Sequence, residues 1–212
     1  VKLRPLSPIQ WQYKANVLYA MADNYLQQGD VQKGLKYIDD LLGIIDEAKK
    51  INENNMSPFI FNDETQKYLE KAYFIKKQIT ENVDAKVNVN DIVFQSVPYM
   101  DVNADNFLDQ WTIDNKLLVD SYLENDVFTV SNKDDGQEPY MYTRKLEYEG
   151  GSIYRIEVEL ENYEGIEFIP YKESSFKQKI EALWDEEGNP IGSAPHPKQI
   201  VRLKVSRPVE KN

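Results

Sequence analysis

The residues best placed to do chemistry lie in the run Asp101-Val102-Asn103-Ala104-Asp105-Asn106-Phe107-Leu108-Asp109. Oxygen-bearing side chains recur at Asp101, Asn103, Asp105 and Asp109, with Phe107 between them to offer a backbone carbonyl. Hard oxygen donors spaced two apart are what a calcium ion takes from a tight loop. Asn106 stands where such a loop turns sharply, and Asn tolerates the positive φ that the turn requires. The twelfth position holds Thr112, which cannot supply the two carboxylate oxygens needed to complete the shell. Asp114 lies two residues further on. The competing expectation is a stack of Asx turns.

Other candidates are thinner. The one histidine, His196, sits between Pro195 and Pro197, where no neighbour is placed to orient it as a general base; an exposed loop residue is expected. Glu157, Glu159 and Glu161 share one face of a strand, whereas a glycosidase pair must face each other across a cleft. Solvation of an exposed face is the expected role. Tyr140, Tyr142 and Tyr154 could contact a partner or stack on a sugar ring, although at least two residues of the Tyr140, Tyr142, Tyr148 and Tyr154 set are expected in a core. With no cysteine among 212 residues, thiolate nucleophiles, disulfides and Cys-type zinc sites are excluded. Phosphate loops, dinucleotide fingerprints, nucleophile elbows and HExxH are missing as well.

The formal net charge of −11 argues against nucleic acid and anionic lipid surfaces, which need a concentrated Lys/Arg face. No apolar run is long enough to span a membrane. The chain begins at Val1 rather than Met, which implies trimming or processing, with any signal peptide or lipid anchor upstream. The compartment stays open, a cell-envelope setting being favoured over the cytoplasm.

The elements that must position these residues fall into two parts. Ser7-Pro8-Ile9-Gln10 reads as a helix start with a capping box. Trp11, Ala15, Leu18, Tyr19, Ala22 and Tyr25 follow at helical spacing, and Gly29 ends the helix. Asp30 caps a second helix with a stripe from Leu35 to Ala48. The short link makes the pair an antiparallel hairpin. Residues 51–62 form a loop with Phe59, Ile60 and Phe61 tucked in. Asp63 opens a third helix, with Gln66 as a second capping box.

After residue 86 the period changes. Val87 to Phe94 begins an alternation; pieces near 104–111 and 115–124 read as helical, and 127–131 as strand. From 139 onward the alternation is β, clearest in Ile153–Glu161, with strands near 167–169, 179–184 and 199–206 and a polar turn at Asp185–Pro190. The chain is therefore expected to be α+β: a three-helix module over 1–85, then a mostly antiparallel β-sandwich over 86–212.

The stretch Leu18 to Leu42 resembles one tetratricopeptide repeat. Leu18, Met21 and Ala22 stand where the first helix would pack, Tyr25 at the aromatic position, Gly29-Asp30 at the turn, and Gly34 where Ala is usual, with Ile38 and Leu41 following. Leu18 replaces the usual Trp, and Asp46 the terminal Pro. Ile156–Asn162 followed by Asp185–Ile191 resembles the strand-and-turn pattern of small immunoglobulin-like domains in bacterial envelope proteins. These resemblances imply a non-catalytic scaffold or adaptor that binds a protein partner, with a carbohydrate- or small-ligand-binding envelope protein as the alternative. An enzyme is not expected. No cofactor is implied beyond the calcium candidate.

Overall fold

The computed structural model describes residues 6–114, 116–124, 127–133, 139–146, 155–156, 158–159, 183–185, 189–191 and 200–203. The chain divides into two compact units, Val1–Leu146 and Glu147–Asn212.

In the first unit, α1 (Pro8–Gln27) starts where expected: Ser7 donates its backbone N–H to Gln10 Oε1 at 2.8 Å. It ends at Gly29, whose φ of 78° would strain any residue with a Cβ. Asp30 accepts from the Lys33 amide and opens α2 (Val31–Leu42). The stripe read as one helix to Ala48 is broken at Gly43, and α3 (Ile44–Asn52) continues beyond it. Asn62, not Asp63, caps α4 (Asp63–Glu81), accepting from both the amide and the hydroxyl of Thr65. Gln66 does not close a capping box, because its amide donates to the Phe61 carbonyl instead.

Trp11, Ala15 and Ala22 from α1 share a core with Ile38, Leu41, Ile44, Ile45, Leu69, Ala72 and Ile75. Phe61 is buried there and Phe59 packs against it, whereas Ile60 is exposed. Met21, expected inside, is exposed as well. Gly34 has a concrete reason to be Gly: a Cβ there would sit 2.5 Å from Leu26 Cδ2, so the missing methyl is the space that Leu26 fills.

The alternation after residue 86 does not make a strand. Asn88 accepts from the Asn90 amide, and Val89–Asp91 is a single 3-10 turn. Val97, Met100 and Val102 then enter the helical core. The helix expected over 104–111 is a sequence of turns, with positive φ at Ala104 and Asn106. Its helix-like spacing arises because Phe107 and Leu108 are both buried while the acidic side chains take the backbone amides a helix would use.

The first unit also carries two small ladders. β1 (Trp111–Ile113) pairs antiparallel with β4 (Met141–Thr143), and Thr112 faces Tyr142. β2 (Val119–Glu124) pairs antiparallel with β3 (Val127–Asn132). The helix expected over 115–124 is thus a 3-10 turn at Lys116–Leu118 followed by β2, whose burial alternates from Val119 onward. Phe107, Ile113 and Val119 form a second core with Phe128, Val130 and Met141.

In the second unit, β5 (Val158–Glu159), β6 (Leu183–Trp184), β7 (Pro190–Ile191) and β8 (Ile200–Leu203) form an antiparallel sheet in the order β5-β8-β6-β7. The Asp185–Asn189 turn closes as expected, with Asp185 Oδ1 accepting from the Asn189 amide at 2.6 Å. The chain is α+β, as the sequence implies. The described strands group into three small antiparallel sheets, and a sandwich is not shown by them.

Candidate functional site

The acidic run folds into one closed loop. Asp101, only 6% exposed, accepts from the amide of Asp105 on Oδ1 and from that of Asn106 on Oδ2, each at 3.1 Å. Asn103 Oδ1 accepts from the Asp105 amide, and Asp105 Oδ1 from the Phe107 amide. Asp109 Oδ2 accepts from the Val102 amide at 2.9 Å, and the Asp109 amide donates to the Met100 carbonyl. Ala104 (φ 57°) and Asn106 (φ 60°) hold the left-handed conformations that let the chain double back.

Side chains of α3 fasten this loop to the helices. Asn52, largely buried, donates to the carbonyls of Phe59 and Val102. Lys49 donates to the Tyr99 carbonyl. A second clasp is the Glu70 carboxylate on α4, 3% exposed, which accepts from both Arg144 guanidinium arms, from Gln110 Nε2 and from the Gln95 amide. Gln110 Oε1 in turn accepts from the Val97 amide. Sequence reasoning missed Asn52, Glu70, Gln110 and Arg144. The one usable signal was Glu70, an acidic residue beside Leu69 in the apolar stripe of α4.

The electrostatics single out Asp109. Burial, with smaller contributions from nearby Asp101 and Asp105, pushes its carboxyl up to about 7, against the Val102 hydrogen bond and the Lys49 charge. Burial likewise raises Asp101. Asp109 Oδ1 is buried without a hydrogen-bond partner. Lys116 supplies the loop's internal cation: its ammonium lies 2.6 Å from Asp105 Oδ2 and over the Phe107 ring.

The four predicted oxygen-bearing residues are brought together in one loop. Yet among the described residues no group of three or more His, Cys, Asp or Glu side chains is arranged to hold a metal ion. Most of the oxygens are instead turned to backbone amides. Thr112 is exposed on β1, and Asp114 is engaged with Tyr140, accepting from its amide and donating to its carbonyl. The donor set could serve a hard cation only if Lys116 gave up Asp105 and the free oxygen of Asp109 completed the shell.

Tyr140 and Tyr142 lie side by side, ring centroids 6.1 Å apart, and both are exposed rather than core. Met141 between them turns to the core, as the two-residue period of a strand requires. Tyr148, Tyr154, His196, Glu157, Glu161 and the expected strand near 167–169 lie outside the described residues.

A family model described as the Peptidase family U32 C-terminal domain matches residues 146–212. No curated protein and no solved structure matches the chain. The match corrects the resemblances drawn above. The C-terminal segment is similar to a domain of a peptidase family, and the family match is to neither an immunoglobulin-like domain nor a tetratricopeptide repeat. It also corrects the expectation of a non-catalytic scaffold or ligand-binding protein and that of a chain unconnected with enzymes. Alternation in β sequences reports which face is wet, and many unrelated sheets share it. The absence of catalytic motifs does not bear on this similarity, since a segment similar to a C-terminal domain need not carry the reacting groups. Among the described residues no helix is long and apolar enough to cross a membrane.

Proposed function

We propose that the chain is part of a peptidase-type protein that acts on polypeptides, with the Glu147–Asn212 unit serving as a C-terminal domain of the kind described for peptidase family U32. The observation that carries this reading is the match over residues 146–212. The Val1–Leu146 unit would then be an accessory platform ahead of that domain. The Asp101–Asp109 carboxylates are chemically an acid and base pair, but three of their four oxygens accept backbone amides within 97–109. They support the loop's shape better than they support hydrolysis.

The test is to incubate the 212-residue chain with dye-quenched casein and, in parallel, to measure binding of unfolded casein. Peptide release supports a hydrolytic role for this chain. Saturable binding without release supports a polypeptide-engaging role beside a hydrolytic partner. A chain that neither releases peptide from casein nor binds it saturably overturns the reading.

One observation favours a second, compatible role: the buried, unpartnered Oδ1 of Asp109 in an oxygen-rich loop. On this reading Asp101, Asn103, Asp105 and Asp109 close around a calcium ion after Lys116 is displaced from Asp105. Calcium should then raise the melting temperature at pH 8 in the native chain and not in Asp109→Asn. A melting temperature that calcium leaves unchanged in both would end the idea.

A further inference from the structure

The β1–β4 ladder has two unlike faces. In its register Thr112 lies opposite Tyr142 and Ile113 opposite Met141. The pairing continues one step beyond the ladder. The Asp114 amide donates to the Tyr140 carbonyl at 3.3 Å, and the Tyr140 amide donates to Asp114 Oδ1 at 3.4 Å. Successive residues of paired strands alternate between faces. Trp111, Ile113 and Met141 accordingly belong to the second core. Thr112, Asp114, Tyr140 and Tyr142 share the opposite face, and all four are exposed.

That outer face carries two aromatic rings and a carboxylate but no cation. The Tyr140 and Tyr142 ring centroids are 6.1 Å apart, with the planes tilted by 36°. Other tyrosines of this unit are matched internally: Lys33 lies over Tyr25, Lys36 over Tyr37, Lys71 over Tyr19 and Lys77 over Tyr73. Among the described residues no Lys or Arg lies over Tyr140 or Tyr142. None pairs with Asp114 either. Arg144, the basic residue nearest in sequence to this face, is committed to Glu70 and to the Phe94 ring.

We infer that this face binds an arginine side chain of a polypeptide partner. The inference rests on the polypeptide-engaging role proposed above and gives it a side-chain preference. The faces of tyrosine rings attract cations through the ring quadrupole. A guanidinium is planar, so it can stack on a ring while its edge N–H groups pair with a carboxylate beside that ring. An ammonium is a compact, strongly hydrated charge and does not combine the two contacts in one plane. Asp114 is the carboxylate in question: it stands directly across from Tyr140 and is tied to its backbone. Thr112, opposite Tyr142, adds a hydroxyl that can donate to or accept from the peptide backbone. The whole chain acts in the same direction. Its net charge of −11 draws basic segments toward it and speeds their encounter.

The test is a nuclear magnetic resonance titration of the 212-residue chain at low salt. The probe is a capped glycine–serine peptide carrying one arginine, compared with the same peptide carrying citrulline, which keeps the shape and lacks the charge, or lysine. The arginine peptide should shift the Thr112, Asp114, Tyr140 and Tyr142 signals saturably. It should bind about fivefold or more tightly than the citrulline peptide, with lysine between them, and added salt should weaken it. Tyr142→Ala should weaken it by roughly threefold, and Tyr142→Phe, which keeps the ring face, by less than about twofold. Asp114→Asn should weaken it too, whereas Glu124→Gln, which removes an exposed carboxylate from β2, should not. All these positions are exposed, and unchanged circular dichroism melts would show that the variants fold. Equal binding of the arginine and citrulline peptides, shifts confined to other residues, or a loss in Glu124→Gln equal to that in Asp114→Asn would each overturn the inference. Casein binding that persists alongside any of these results leaves the wider reading standing without the arginine site. Arginine preference that persists when casein neither binds nor is cleaved leaves the site standing without the wider reading.

Discussion

Glu70 on α4 and Arg144 just after β4, 74 residues apart in the chain, meet as a two-pronged ion pair in which the Nη2–Oε2 distance is 2.9 Å. Their side chains are 3% and 10% exposed. The Arg144 guanidinium also lies 5.4 Å from the Phe94 ring centre and donates to the Val93 carbonyl. This pair ties the end of the β1–β4 ladder to the helical core.

Breaking one partner of a buried pair strands the other, at about 3–5 kcal/mol. Glu70→Ala should lose that much in urea denaturation, and Arg144→Ala nearly as much. Glu70→Ala/Arg144→Ala should lose less than the sum, since neither charge is left alone. Additive losses would show that the pair is not a unit.

The Asp109 carboxyl yields a pH prediction. Its folded pKa, about 7, lies above the ordinary carboxylate value, so the folded state holds the proton more tightly than the unfolded chain. The associated stability is present below the unfolded pKa and is lost as pH rises toward 7. Stability should therefore fall by on the order of 2–4 kcal/mol between about pH 4 and pH 8 from this group, with Asp101 adding in the same direction. Asp109→Asn should flatten the profile in chemical denaturation across that range. An unchanged slope in the variant would assign the effect elsewhere.

Trp11 is 1% exposed, packed edge-on against Phe61, and its indole N–H has no acceptor. Trp11→Phe removes that unsatisfied donor along with some volume, so it should cost under about 2 kcal/mol, against about 3–5 for Trp11→Ala. Thermal melts of the two variants separate these values. Equal losses would mean that the indole nitrogen carries an interaction of its own.

Gly34→Ala improves helix propensity by about 1 kcal/mol but drives a methyl into Leu26. The clash should win, giving a net loss of about 1 kcal/mol in the native background that disappears when Gly34→Ala is made in a Leu26→Ala background, where the space is already empty. A stabilised single variant would show that Leu26 rotates away freely.

Local chemistry explains which parts of the fold were legible. Helices α1 and α2 could be read because their signals act over three or four residues: Gln10 reaching back to Ser7, Asp30 capping the Lys33 amide, Gly29 at positive φ. The turn read at Asp185–Pro190 and the β3 sequence carry similar short-range information, whereas β2 reads as helix because Leu118, Tyr122 and Leu123 also fall at helical spacing. The break at Gly43 was hidden because the apolar stripe runs straight through it.

The candidate loop was half legible. Its residue types marked Asp101, Asn103, Asp105 and Asp109 in advance, and Asn106 does adopt the positive φ expected of it. Whether those oxygens face a cation or the loop's own amides depends on where Val102, Phe107 and Leu108 are buried and on Lys116 reaching Asp105 across 11 residues. No local pattern encodes that choice.

By itself, the sequence determined the α+β class, the helix hairpin, the exclusion of thiol chemistry and the acidic surface, because composition and short-range hydrogen bonding set those. Tertiary structure alone decided the partners of Glu70, Asn52 and Gln110 and the outward turn of Tyr140 and Tyr142. Each depends on which segment, tens of residues away, fills or leaves open the space beside it. Burial then sets whether a polar group is paired, stranded or left to meet another molecule.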